Sequence, residues 1–557
     1  MEEIEKRSTR IIEMLGNIST KSGVKKALNY EGISLWWFYE FGLFCLVENY
    51  VKNKKYDGGG AFKRNKPKFI SKFGNYYIIF RAITRSILGK ILTKPTKNKH
   101  SETRNAHKIL AVSYTSYWKN FPTPQKANKN ANRDTMLGDT ITALQNKKFN
   151  VVAVDEDSSF FVDFKTMIEK RVQGEGLWRP VETYLTSDII KKVFKASKKY
   201  KEEWDKLKNN KEFIDSLNYD GNQLSELLKN YFEDLFKYST FSPILDIELM
   251  KRAIEVEKPN LVLITCGYCQ LGRAAVIAGK LKGVPTLEIQ HGVIHSSHPG
   301  YMHAKDEISP EGSVKSSYCP IPDKKAVYGN YYKDVLTEVS TYPENSVVVT
   351  GQPRYDFLYH ANKIYSKEKF FRKYKIDPNH KIVLWTTQCH GISNEENIKN
   401  FKAVFRTMQN FKDVTLVIKQ HPNEEKRYTK MIKDYLNKYN LEMNIVITPK
   451  SSDTYEQLFV CDLMITKHST TAMEAVALNK PVIILNLRGE TDAVDYVEQG
   501  VALGVYKEED LKTVIEKLLK DDSKLAKNRA KYIEKYLYKI DGRATERVVK
   551  LIEQIID

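Results

Sequence analysis

From about residue 107 onward, short apolar runs of strand length alternate with longer amphipathic stretches. His107–Ser113, Phe149–Val154, Leu261–Ile264, Pro285–Ile289 and Val347–Val349 form a first series. Runs that are apolar almost throughout suit strands buried on both faces of a parallel sheet. Between them, residues 186–257 are Lys-rich and helical in pattern, and the Ala-rich stretch 271–281 predicts a crossover helix. A second series follows a linker near 361–380, marked by Asp377-Pro378. Its strands are Ile382–Trp385, Thr415–Ile418, Asn444–Ile447, Leu463–Ile465 and Val482–Leu485, with helical stretches at 395–410, 424–439, 453–459, 471–479 and 508–520. The pattern predicts two doubly wound α/β domains in tandem, 106–360 and 361–557, with ligands in an inter-domain cleft at the carboxyl ends of the strands.

Residues 1–105 stand apart. Ile33–Tyr50 is the most apolar stretch, but Glu40 near its centre favours a buried or interfacial helix over a membrane span. Met1–Leu15 mixes acids and bases and reads as no secretory signal. Val51–His100 holds fourteen Lys/Arg and one acid, Asp57, interleaved with Tyr56, Phe62, Phe69, Phe73, Tyr76, Tyr77 and Phe80. Ile78–Leu88 has helical spacing with Arg81 and Arg85 one turn apart, the pattern of a basic amphipathic helix on an anionic membrane. A solvated face docked on the main body fits equally.

Composition sharpens this. The 557 residues carry 89 Lys+Arg against 69 Asp+Glu, a net charge of +20, of which +13 lies in Val51–His100. Nucleic acid, an anionic membrane and a phosphorylated substrate all suit such a surplus, but no nucleic-acid recognition motif is present, and that partner is not expected. With 27 Gly and 18 Pro the chain is no collagen-like or low-complexity sequence. Six cysteines include one close pair, Cys266 and Cys269, read as reduced packing residues.

Candidate chemistry collects where strands end. Thr466-Lys467-His468-Ser469-Thr470-Thr471 precedes a helix, and Thr471 with Glu474 has the spacing of a capping box. Its N-terminal amides, the hydroxyls of Ser469 and Thr470 and the charge of Lys467 suit a phosphate. Lys419-Gln420-His421-Pro422 presents His421 at the end of another strand, and Gln290-His291-Gly292 does the same for His291. Gly351-Gln352-Pro353-Arg354-Tyr355-Asp356 forces a turn that directs Arg354 toward an anion. His295, His298 and His303 form a histidine-rich loop, and Asp155-Glu156-Asp157 has a D-x-D pattern. Neither is accompanied by a second metal feature, so no metal or cofactor is expected.

Together these motifs resemble the GT-B glycosyltransferase superfamily, nearest the branch of CDP-glycerol glycerophosphotransferases and capsule polysaccharide transferases. His291-Gly292, Gly351 to Asp356, His421-Pro422, Ser469-Thr470, Lys480-Pro481-Val482-Ile483 and Asp541-Gly542-Arg543-Ala544 carry the resemblance. It implies a GT-B-like tandem of two Rossmann-type domains: an acceptor domain at 106–360 and a nucleotide-donor domain at 361–557, after the basic extension 1–105. It implies a metal-independent transferase moving a sugar or glycerol-phosphate-type group from a CDP-, CMP- or UDP-linked donor. The acceptor would be a glycan or lipid-linked molecule in cell-surface polysaccharide biosynthesis. The enzyme would be cytoplasmic, peripheral on the inner face of the membrane. His291 would be the general base, with His421, Lys467, Ser469, Thr470, Thr471, Glu474 and Arg354 on the donor. The alternative is an isomerase resembling UDP-N-acetylglucosamine 2-epimerases, suggested by Asn486–Thr491 and Glu498–Val501.

Overall fold

The computed structural model describes residues 2–53, 68–92, 107–121, 131–157, 163–173, 177–219, 222–309, 312–315, 318–388, 393–421, 424, 426–439, 443–489, 492 and 494–557. The loop at Asp57, Pro422 and much of the basic stretch named above lie outside them. The chain forms two compact units: Glu2–Asn120 with Ala131–Arg354 and Ala544–Asp557, and Tyr355–Arg543 with Phe121–Asn130.

The first unit begins with helices α1 (Glu2–Lys21), α2 (Glu40–Asn53) and α3 (Lys68–Leu92). There follow β1 (Lys108–Tyr114), α4 (Gly138–Asn146), β2 (Asn150–Glu156), α5 (Phe164–Gln173), β3 (Trp178–Pro180) and α6 (Phe241–Glu257). The series then runs β4 (Leu261–Ile264), α7 (Gln270–Lys282), β5 (Thr286–Ile289), β6 (Lys324–Val327) and β7 (Val347–Val349). All seven strands are parallel, in the order β7-β6-β5-β4-β1-β2-β3. The chain winds from β1 outward to β3, then restarts at β4 on the other side of β1, so the topological switch lies between β1 and β4. Gly272 lets α7 start against β4, because a Cβ there would sit 1.9 Å from the carbonyl oxygen of Cys266.

In the second unit β8 (Lys381–Thr386), α8 (Asn394–Met408), β9 (Val414–Lys419), α9 (Lys426–Tyr439), β10 (Asn444–Thr448) and α10 (Thr454–Val460) come first. After them come β11 (Leu463–Thr466), α11 (Thr471–Ala477), β12 (Val482–Leu485), β13 (Ala502–Val505) and α12 (Asp510–Lys520). Its six parallel strands lie in the order β10-β9-β8-β11-β12-β13, with the switch between β8 and β11. Two doubly wound parallel sheets were expected and are present. The last helix, α13 (Ala544–Ile556), belongs to the first unit: Val548, Val549, Leu551 and Ile552 pack with Ile141, Leu144 and Leu261.

Three strands escape the hydrophobic pattern. β6 reads Lys-Lys-Ala-Val, and it is central because the buried Lys325 pairs with the equally buried Glu288 of β5, directly opposite in register. β3 is a three-residue edge strand ending in Pro180, and β13 is interrupted by Gly504.

The reading of Arg81 and Arg85 as a lipid-facing basic stripe is overturned. Arg85 is buried, bonded to Glu182 at 2.9 Å and Asp157 at 3.0 Å, and Arg81 lies 3.6 Å from Asp157. Those contacts also consume the D-x-D acids: Asp157 serves the arginines, and Asp155 pairs with Lys170. Of the apolar stretch Ile33–Tyr50, only the part from Glu40 onward is in α2, and the Glu40 carboxyl accepts from Trp36 Nε1 at 3.3 Å. No described helix is long and apolar enough to cross a membrane.

Candidate functional site

In the first unit, His291 leaves the end of β5 beside the switch point. Tyr117, following β1, and Tyr268, following β4, place their rings 6.1 and 5.7 Å from its imidazole. The Tyr268 hydroxyl lies 3.4 Å from Nε2 and the Tyr301 hydroxyl 3.5 Å from Nδ1. Tyr301 donates its proton to Glu288 Oε1 at 3.0 Å, so its oxygen is free to accept from Nδ1–H. Tyr301 can thus accept from Nδ1–H while Tyr268 donates to Nε2, and a hydrogen bond to the Thr265 backbone also holds the ring. Glu288 is held by Lys325, whose ammonium lies 4.3 Å from the Tyr301 ring centroid. Burial lowers the pKa of His291; Lys325 and Arg354 push the same way, against Glu288. The imidazole is therefore neutral at pH 7.

Arg354 lies in this unit too, in the turn after β7, within electrostatic reach of His291 and Tyr117. Among the other histidines, His298 packs at a tilt against Tyr301 and stacks on Phe41, and its Nδ1 accepts from the Gly300 amide at 3.1 Å. Burial pushes its pKa down to about 3. His303 packs edge-on against Trp37. No cluster of potential metal ligands occurs among the described residues. Cys266 and Cys269, expected to be reduced, are joined as a disulfide, because the turn from β4 into α7 brings their Cα atoms to 5.5 Å, within bridging range.

The second unit gathers its candidates around the β8/β11 switch. Trp385, Thr386, Thr387, Gln388, Asn397, Asn400, Thr466, Lys467 and Leu485 line a small, partly open pocket. Gln388 donates to Thr466 at 3.3 Å across the switch, and the His421 amide donates to Thr387 at 3.2 Å. Thr386 Oγ1 and Asn400 Oδ1 are buried there with no hydrogen-bond partner, and such groups call for a ligand or water. Lys467 pairs with the buried Glu396 of α8, so its charge is partly neutralised within the unit.

Thr471 starts the helix as expected, but the capping box does not form. Ser469 accepts from the Thr471 amide at 3.2 Å, Thr470 makes no side-chain cap, and Glu474 accepts from Tyr455 at 3.0 Å. Thr470 is exposed at the turn. His421, Lys467, Ser469, Thr470 and Thr471 thus sit at the carboxyl ends of β9 and β11, where sheets of this winding bind ligands. Glu474 is directed to Tyr455 beneath them.

Sequence reasoning missed Tyr268, Tyr301, Glu288 and Lys325 around His291, and Asn397 and Asn400 in the second cavity. One signal was available: an acid inside the apolar run Pro285–Ile289 needs a buried cation, and Lys324-Lys325 offers one.

A sequence model of a family described as CDP-glycerol:poly(glycerophosphate) glycerophosphotransferase matches residues 272–554. A processive diacylglycerol beta-glucosyltransferase of Bacillus licheniformis is 29% identical over 241 residues, 41% of this chain and 59% of that protein. A teichoic acid poly(ribitol-phosphate) polymerase of Bacillus spizizenii is 25% identical over 166 residues, 28% of this chain and 24% of that protein. The chain thus spans well under two thirds of the curated relatives it matches. A solved UDP-GlcNAc 2-epimerase of Neisseria meningitidis aligns with 80% of this chain and 100% of its own at TM-score 0.49 and 15% identity.

Proposed function

From the premise that this chain belongs to the CDP-glycerol:poly(glycerophosphate) glycerophosphotransferase family, we propose that it transfers a sugar or glycerol-phosphate-type group. The donor is nucleotide-activated, CDP-, CMP- or UDP-linked, and the acceptor is a hydroxyl of a glycan or lipid-linked molecule in cell-surface polysaccharide synthesis. Residues 106–360 serve the acceptor and 361–557 the donor. The enzyme works in the cytoplasm, with residues 51–100 on an anionic membrane surface.

The observation that carries the reading is His291 at the end of β5, its pKa lowered by burial and its ring set between the hydroxyls of Tyr268 and Tyr301. Its Nε2, exchanging the Tyr268 hydroxyl for the substrate, takes the proton of the acceptor hydroxyl as that oxygen forms its bond to the transferred group. The bond from that group to the nucleotide's phosphate oxygen breaks, and the nucleotide leaves with the electron pair. In the second unit, the pocket beside β8 and β11 with His421, Lys467, Ser469, Thr470 and Thr471 supports donor binding; in the first unit, Arg354 supplies positive charge near His291 for the donor's phosphate. Glu474 meets a ribose hydroxyl only if its bond to Tyr455 is exchanged. The epimerase alternative is the weaker reading, because the matched family and the curated relatives are transferases.

The test is nucleotide release by the purified full-length chain from CDP-glycerol, a CMP-sugar and UDP-sugars, with and without an acceptor extract. Release that requires acceptor and disappears in His291→Ala, with donor binding retained by calorimetry, supports the reading. Epimer formation from UDP-N-acetylglucosamine alone overturns it.

A further inference from the structure

The Tyr268 hydroxyl stands where the acceptor has to be. It lies 3.4 Å from Nε2 of His291, the nitrogen that takes the acceptor's proton in the proposed reaction. The ring that carries it is held on several sides. Tyr268 belongs to the turn between β4 and α7 that the Cys266–Cys269 disulfide closes. Gly300 lies against the ring face, since a Cβ there would come 2.6 Å from the Tyr268 Cγ. Tyr301, Phe41 of α2 and His298 pack around it, with ring centroids 5.0, 5.1 and 5.2 Å away. A phenol fixed in this way presents its hydroxyl to Nε2 with little further loss of side-chain entropy. Burial pushes its pKa up to about 12, so at pH 7 the hydroxyl keeps its proton and serves as a donor, not as a base.

What this contact excludes is water. His291 is half-buried, and the chain beside it is open: a Cβ on Gly292 would meet nothing within 4 Å, and Val293 is exposed. Water therefore reaches this side of the site, and an activated donor is open to attack by water as well as by a glycan hydroxyl. The two nucleophiles differ in what else they bring. Water has only its own hydrogen bonds with which to displace Tyr268. A glycan or lipid-linked acceptor also has binding energy from parts remote from the reacting hydroxyl, and that energy can drive a rearrangement at the reacting centre. The Tyr268–His291 contact is long for an O–H···N bond, so a bound acceptor loses little in replacing it.

We propose that Tyr268 is a specificity-determining residue: its hydroxyl caps Nε2 of His291 until an acceptor displaces it, and so keeps the base from activating water. This rests on the transferase reading, with His291 as its base. In the reaction that Tyr268 suppresses, the water oxygen bonds to the transferred group and one water proton passes to Nε2. The bond to the nucleotide's phosphate oxygen breaks, and the nucleotide leaves with the electron pair. The released sugar or polyol phosphate keeps the second water proton on its new hydroxyl.

The test is nucleotide release by the full-length chain from CDP-glycerol, a CMP-sugar and UDP-sugars in oxygen-labelled water, with and without an acceptor extract. Wild type releases little nucleotide without acceptor. Tyr268→Phe, which keeps the ring and its packing, raises acceptor-independent release relative to acceptor-dependent transfer about three- to tenfold, the range set by the net worth of one hydrogen bond. The label appears in the released group. The rise is lost in Tyr268→Phe/His291→Ala, because water needs the same base. Phe41→Leu loosens the packing around Tyr268 and leaves its hydroxyl in place. It gives a smaller rise in the same direction, and carries the test should Tyr268→Phe fail to fold by circular dichroism. A rise that persists without His291 overturns the proposal. Wild type active with acceptor, and variants with an unchanged ratio of hydrolysis to transfer, overturn this inference alone. Wild type inactive even with acceptor overturns the transferase reading and this inference with it.

Discussion

The hydroxyl oxygen of Tyr301 lies 3.5 Å from Nδ1 of His291 while its proton is directed to Glu288. A residue ten positions along the loop thereby offers Nδ1–H an acceptor, while the Tyr268 hydroxyl faces Nε2 at 3.4 Å. Tyr301→Phe removes the acceptor for Nδ1–H without removing the base. It should lower turnover about tenfold, leave donor affinity unchanged, and alter the acid limb of the pH–rate profile. His291→Ala should cost about 10²–10⁴-fold in turnover, the usual contribution of a positioned general base. Steady-state kinetics with donor titration separates the two.

Because burial lowers the His291 pKa below 6.5, the base form persists into mildly acidic solution. The acid limb of kcat/KM should therefore fall below pH 6.5, provided His291 governs it.

Stability should follow the same histidines. His291, His298 and His303 all have folded pKa values lowered by burial, against 6.5 when unfolded. Below pH 6.5 the unfolded chain binds more protons than the native one, so stability present above that pH is lost as pH falls toward the folded values. Urea midpoints measured between about pH 7.5 and about pH 5 should decline, each pKa unit of difference being worth about 1.4 kcal/mol.

Glu40 has the opposite sign. Burial, then repulsion from Glu307, raises its pKa from 4.5 to about 8, so its contribution is fully present below pH 4.5 and lost as pH rises through 8. Glu40→Gln keeps an acceptor for Trp36 and removes the buried charge. It should raise Tm at pH 8 and change it little near pH 4.5, checked by calorimetry.

Lys467 and Glu396 form a buried ion pair, both side chains at most 9% exposed. Removing either partner alone should cost about 3–5 kcal/mol, because the other is left charged in the interior. Lys467→Met/Glu396→Met should cost clearly less than the two single variants added together. Chemical denaturation of the four proteins measures the coupling.

Ile552 is fully buried in the first unit's core, although most of the preceding two hundred residues build the second unit. Ile552→Ala should destabilise by about 2–5 kcal/mol. The loss should appear as weaker hydrogen-exchange protection in β1 and β4 while β8 and β9 are unchanged.

Much of the fold is legible in the chain because parallel strands buried on both faces must be apolar throughout, as Leu261–Ile264 and Val482–Leu485 are. The candidate residues His291, His421 and Ser469 are equally legible, since a polar turn after such a strand has one place to go in a doubly wound sheet. What local sequence cannot carry is pairing across distance. Lys325 completes a central strand only because Glu288 meets it, and Arg81 and Arg85 face inward only because Asp157 and Glu182 await them. The same holds for α13, whose apolar stripe shows in its spacing while the sheet it covers does not. Sequence determined the elements, the winding and the strand ends that hold the candidate chemistry. Tertiary structure decided which charges are spent inside, which hydroxyls face each nitrogen of His291 and which apolar faces stay exposed. Those outcomes depend on partners tens to hundreds of residues away, and no local pattern encodes them.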